Sequence, residues 1–149
     1  MSYDIIGDIH GHALTLQALL EKLGYSRVSG IYRHPDRKVI FLGDFIDRGP
    51  HQRETLEIVR PMIESGAALS VMGNHEFNAI AFATESGLGD HLRPRNDKNY
   101  AQHAAFLREY PADSPDHEEV IAWFKSLPLW LDLGELRVIP VSYTHLTLP

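Results

Sequence analysis

Three short apolar runs in this chain each stop at a glycine followed by a polar residue able to hold a metal or a phosphate. The first ends in Gly7-Asp8-Ile9-His10, the second in Gly43-Asp44 and the third in Gly73-Asn74-His75. The run Lys38-Val39-Ile40-Phe41-Leu42 is apolar almost throughout rather than alternating, as a strand buried on both faces is. Helical spacing fills the gaps. Leu16, Leu19, Leu20 and Leu23 recur over residues 13–23 before Gly24, and Leu56, Val59 and Ile63 over 54–64 before Gly66. Alternating strands and helices predict a layered α/β domain. Ligand sites in such folds gather at the carboxyl ends of strands, so the three glycine-marked ends become one candidate site.

Composition narrows what that site can be. The 149 residues contain no cysteine, which excludes disulfides, thiolate catalysis and thiolate metal sites. Any metal must be held by His, Asp, Glu, Asn and water. The pooled donors Asp8, His10, Asp44 and Asn74 suit manganese, iron, zinc or nickel better than an all-oxygen calcium site. The net charge of −6 argues against a nucleic-acid or membrane-surface partner, both of which call for a basic face. No basic leader or long apolar stretch opens the chain, so cytoplasmic residence is the expectation. No feature sets an oligomeric state.

Further expectations follow along the chain. Strands are predicted over 3–9, 28–33, 38–42 and 67–72, with residues 34–37 joining the second and third as a hairpin. Residues 86–95 read as a mobile loop or lid, 97–110 and 116–125 as helices, 127–133 as an extended segment and 136–139 as the start of a strand. Of the nine histidines, His12 is assigned to capping the first helix. His34 and His51 are assigned to solvated loops or helix starts, and His91, His103 and His117 to the surface. Glu76 is expected to brace its loop by a salt bridge, and Trp123 and Trp130 to lie in the core.

Taken singly, each polar cluster has an ordinary use: surface decoration, a structural Asp–Arg pair, a plain turn. Together they resemble a known pattern. Gly7-Asp8-Ile9-His10-Gly11, Gly43-Asp44-Phe45-Ile46-Asp47-Arg48-Gly49 and Gly73-Asn74-His75-Glu76 resemble the three motif blocks of calcineurin-like metallophosphoesterases. Asp47-Arg48-Gly49 resembles the phosphoprotein-phosphatase branch, which includes bacterial serine/threonine phosphatases and symmetrical diadenosine tetraphosphatases. The resemblance implies a four-layer αββα sandwich, here incomplete at its C-terminus. It also implies two divalent cations, manganese foremost, acting on a phosphoprotein or nucleotide phosphoester. Asp8 and His10 would bind the first metal, Asp44 would bridge both and Asn74 would bind the second. Arg48 would grip phosphate oxygens, and His75, oriented by Asp47, would act as general acid. Two cations about 3.5–4 Å apart acidify a shared water to give a bridging hydroxide near neutral pH. A nucleotide pyrophosphohydrolase and a non-catalytic metal-binding module are the alternative readings; the presence of His75 and Arg48 argues against the latter.

The resemblance also predicts two later histidines for the second metal. The first of them falls at Pro140, and the only later histidine is His145. The segment Val141-Ser142-Tyr143-Thr144-His145-Leu146-Thr147-Leu148-Pro149 resembles a translated sequencing adapter. Residues 1–139 are therefore expected to form the N-terminal portion of one metallophosphoesterase domain and 140–149 a non-native tail. A weak or absent second metal and little turnover are expected for the chain as written.

Overall fold

The computed structural model describes residues 1–140; the expected tail and His145 lie outside the described residues, apart from Pro140. The chain runs β1 (Ser2–Ile6), α1 (Ala13–Lys22), β2 (Ser26–Val28), β3 (Ile31–Arg33), β4 (Arg37–Phe41), α2 (Gln52–Glu64) and β5 (Ala68–Ser70). It continues through α3 (Asn74–Ala83), α4 (Asp97–Glu109), α5 (Pro115–Lys125), β6 (Leu131–Asp132) and β7 (Arg137–Val138). The α/β expectation holds. β1, β4 and β5 form a parallel sheet in the order β1-β4-β5, with Ile5 opposite Ile40 and Ile40 opposite Leu69.

β4 is central because its side chains are buried on both faces. Val39 and Phe41 join a large core with Leu16 and Leu20 of α1, Leu56 and Val59 of α2, and Phe106 and Phe124 of α4 and α5. Ile40 points the other way and packs with Val71 and Val138 beneath the short antiparallel β6–β7 ribbon. The parallel order places the carboxyl ends of β1, β4 and β5 side by side, which brings the three motif blocks together. No helix among the described residues is long and apolar enough to cross a membrane.

Several expectations need correction. The hairpin lies one turn earlier than predicted: β2 pairs with β3 around Ser29 and Gly30, whereas β4 pairs with β1 and β5. Ser29 (φ 52°) and Gly30 (φ 81°) are both left-handed, as a tight two-residue hairpin turn demands. The predicted turn at 34–37 is instead a loop in which His34 Nδ1 accepts from the backbone N–H groups of Asp36 and Arg37. Residues 86–95 are tied down rather than free. Ser86 and Leu92 N–H donate across the loop, and Arg95 reaches Phe82 O at 3.1 Å and Asp113 at 2.8 and 2.9 Å.

Trp123 is buried on α5, but Trp130, in the link between α5 and β6, is 64% exposed. His103 and His117 are not surface residues; both are buried. His103, Phe106 and Tyr110 share one face of α4, and His117, Val120, Ile121 and Phe124 one face of α5. Both faces turn toward the core. Burial holds the His117 imidazole below its ordinary range. The folded state therefore resists protonating it, and its stabilising effect is complete above about pH 6.5 and lost as pH falls below that. Thermal unfolding from pH 8 to 5.5 is expected to show a smaller acid loss in His117→Phe than in the parent chain; equal losses would contradict this.

Candidate metal centre and active site

The ends of β1 and β4 are stitched together by backbone. Ile9 and His10 N–H donate to Asp44 O at 3.0 and 2.9 Å, and Gly11 N–H to Phe45 O at 2.8 Å. The β4 and β5 ends approach so closely that a Cβ on Gly43 would overlap the Gly73 nitrogen, and one on Gly73 would overlap Asp44. Gly43 is also left-handed at φ 80°. The glycines before the second and third ligands are thus required by mutual contact. Gly7, by contrast, faces open space.

Glu76 completes the join. It is fully buried, and its oxygens accept from the N–H groups of Asp44 (2.6 Å), Phe45 (3.0 Å) and Gly73 (3.1 Å). This corrects the salt-bridge expectation: Glu76 braces the loops through backbone donors, with no cation beside it among the described residues. Burial and the neighbouring Asp44 charge push its pKa up to about 7.

Asp8, His10 and Asp44 each offer a ligand atom, all within 4.8 Å of one another. His10 Nδ1 lies 2.8 Å from Ile46 O, so it donates there and its Nε2 faces the cluster, 3.5 Å from Asp8 Oδ2. Such a backbone bond fixes the tautomer a metal-binding imidazole needs. Burial, with Asp8 adding like charge, raises the Asp44 pKa despite the bond from His75 N–H to its Oδ1. The side-chain amide of Asn74 has one terminal atom 3.0 and 3.1 Å from the two Asp44 oxygens. With nitrogen in that place the amide donates to the carboxylate; with oxygen there, three oxygens converge as ligands to a cation do. The donor set and its uncompensated negative charge fit a divalent cation.

Beside this cluster, His75 Nδ1 lies 2.7 Å from Asp47 Oδ2. The Asp47 bond holds the imidazole above its ordinary range against the opposing effect of burial. His10 and His75 meet edge-on at 4.5 Å between ring centroids. His10 (φ 47°), Asp44 (φ 53°), Asp47 (φ 71°) and Arg48 (φ 71°) all adopt left-handed backbone, a strain that gathers where side-chain aim matters.

A cavity of about 420 Å³ opens here, lined by Asp47, Arg48, Asn74, His75, Arg93 and Arg108 among others. The exposed Arg48 and Arg108 and half-buried Arg93 have no carboxylate partner among the described residues. Arg37, Arg53, Arg60 and Arg95 all do.

A model of the calcineurin-like phosphoesterase domain matches residues 1–146. The chain belongs to that family. It is 52% identical over 147 residues to a Bacillus cereus protein named bis(5'-nucleosyl)-tetraphosphatase PrpE [asymmetrical], covering 93% of this chain and 56% of that one. A Halalkalibacterium halodurans protein of the same name is 46% identical over 76 residues, covering 50% of this chain and 31% of that one. This family chain thus spans about half or less of the length of these curated relatives. Among solved structures, a Sphaerobacter thermophilus metallophosphoesterase aligns over 91% of this chain and 44% of its own, with TM-score 0.57 and 26% identity. A Saccharomyces cerevisiae serine/threonine phosphatase shares the fold at TM-score 0.55 and 22% identity, over 86% of this chain and 33% of its own.

Three residues that bear on the site were missed in the sequence. His103 lies 2.6 Å from Asp47 Oδ1. Gln52, buried at the start of α2, accepts from Asp47 N–H at 2.8 Å and donates to Gly49 O at 2.9 Å. Glu109 accepts in turn from Gln52 N–H at 2.6 Å. His12 heads α1 by position, but its side chain makes no capping bond.

Proposed function

We propose that this chain hydrolyses phosphate esters with the help of divalent cations, manganese foremost. The convergence of Asp8, His10 and Asp44 next to the His75–Asp47 pair carries this reading. Asp8, His10 and Asp44 would hold one cation, and Asp44 with Asn74 would reach a second, weaker one. Bound cations supply charge neutralisation and an acidified water. Arg48 grips phosphate oxygens at the cavity mouth, where a guanidinium fork makes two charge-assisted bonds. His75 gives its Nε2 proton to the departing oxygen while Asp47 remains ionised and stabilises the imidazolium. Manganese-dependent release of p-nitrophenol from p-nitrophenyl phosphate tests the reading. No release above buffer, with manganese, iron, zinc or nickel, would contradict it.

Three arginines without carboxylate partners favour a substrate with several phosphates over a phosphopeptide. The names of the curated relatives support the same class. Arg93 lies too far along the chain to belong to the motif blocks, yet it lines the cavity and donates to Gln102 Oε1 at 2.9 Å. Arg93→Glu is expected to lower kcat/KM for a dinucleoside tetraphosphate about 10-fold to 100-fold, the worth of one charge-assisted bond. Hydrolysis of p-nitrophenyl phosphate should change little. Equal losses on both substrates, or a preference for phosphopeptides, would contradict the assignment.

A further inference from the structure

Asp47 holds two imidazoles, one on each oxygen. His75 Nδ1 lies 2.7 Å from Oδ2, and His103 Nδ1 lies 2.6 Å from Oδ1. The final torsion of an aspartate is broad, so a carboxylate held by one bond can rock about it. A second donor on the opposite oxygen fixes its plane. His103 is itself well fixed: its ring stacks on Phe106 (centroids 4.9 Å apart, planes at 15°) and meets Phe82 edge-on at 5.2 Å. Its Nε2 is buried with no hydrogen-bond partner among the described residues. An apolar side chain would fill this position without burying an unpaired nitrogen. The hydrogen bond the imidazole makes is to the residue that orients His75.

We propose that His103 is a positioning residue: acting through Asp47, it holds the carboxylate plane so that His75 keeps its Nδ1–H on Oδ2 and presents Nε2 to the cavity. The proposal rests on the hydrolytic reading for its kinetic consequence, whereas the ring geometry can be tested without turnover. In the metal-free chain, ¹⁵N spectra of labelled histidines at a pH where the rings are neutral should show a single His75 tautomer protonated on Nδ1. His103→Phe, which keeps the stacking and removes the donor, should give a mixture of tautomers. His103→Leu repeats the comparison if the larger ring disturbs folding. His103→Asn, whose amide can occupy the place of Nδ1, should restore the single tautomer. An unchanged single tautomer in a folded Phe or Leu variant would overturn the proposal.

With manganese, kcat for phenyl phosphate, which needs a proton on its leaving group, should fall about tenfold or more in His103→Phe, and kcat for 2,4-dinitrophenyl phosphate less than about threefold. Metal affinity and KM should not change. Equal falls on both substrates would assign His103 a structural role only and overturn the proposal. If no substrate is turned over, the hydrolytic reading fails and the tautomer experiment still decides the role of His103.

Discussion

Asp44→Asn is expected to bring manganese-dependent hydrolysis of p-nitrophenyl phosphate down to the buffer rate. The substitution keeps the volume and the acceptor oxygen that meets His75 N–H at 2.9 Å, so the fold should survive. It removes the charge that lies among Asp8, His10 and Asn74. That charge sits in a buried place where burial outweighs the bond from His75 N–H in raising its pKa, a cost that a bound cation would offset. Cations that neutralise the phosphate and acidify water account for much of the barrier lowering in such sites, so a loss of about 10³-fold or more is expected. A variant that keeps a tenth of the parent rate would show that Asp44 is not the residue on which the cations depend.

The second large effect is on folding. Glu76→Ala deletes the carboxylate that accepts from the backbone of Asp44, Phe45 and Gly73, and leaves the first two N–H groups buried without a partner. Each buried, unsatisfied donor costs about 1–3 kcal/mol, so the chain should lose about 2–6 kcal/mol of unfolding free energy. For a protein of ordinary marginal stability that is a large fraction of the whole. Denaturant titration measures it, and the variant should also bind manganese poorly, because the β4 and β5 ends are no longer held against each other. A loss under about 1 kcal/mol would indicate that the glycine contacts alone hold the blocks together.

The sequence made the parallel core legible for a physical reason. A strand buried on both faces has no polar side to alternate with, and Val39, Ile40 and Phe41 show that directly. The glycines at 43 and 73 were legible as markers of the site, although the reason for them, each strand end lying against the other, is a tertiary contact no single segment contains. The Ser29–Gly30 turn falls inside the single strand read over 28–33, although a glycine beside a small polar residue is an ordinary hairpin signal. α3 begins on the proposed ligand Asn74 itself, so a motif read as a loop end is also a helix start.

His103 and His117 stand in the charged middle of the sequence, which points to the surface, yet each repeats at the spacing of its own helix's apolar residues. Treated as half-apolar rings, they belong to the buried face. Glu76 and Gln52 carried no periodic signal. Their roles depend on backbone N–H groups that only the folded loops present. Arg93 carries no motif signal, and its cavity position follows from the backbone bond of its N–H to Ala81 O, which ties the loop to α3.

The central claim is that the three strand ends form one cation site, and titration calorimetry with manganese on the metal-free chain tests it most directly. The account predicts one tight equivalent that requires Asp8, His10 and Asp44 and disappears in Asp44→Asn, followed by much weaker binding of a second ion. Absence of binding, or tight binding that persists unchanged in Asp44→Asn, would contradict it.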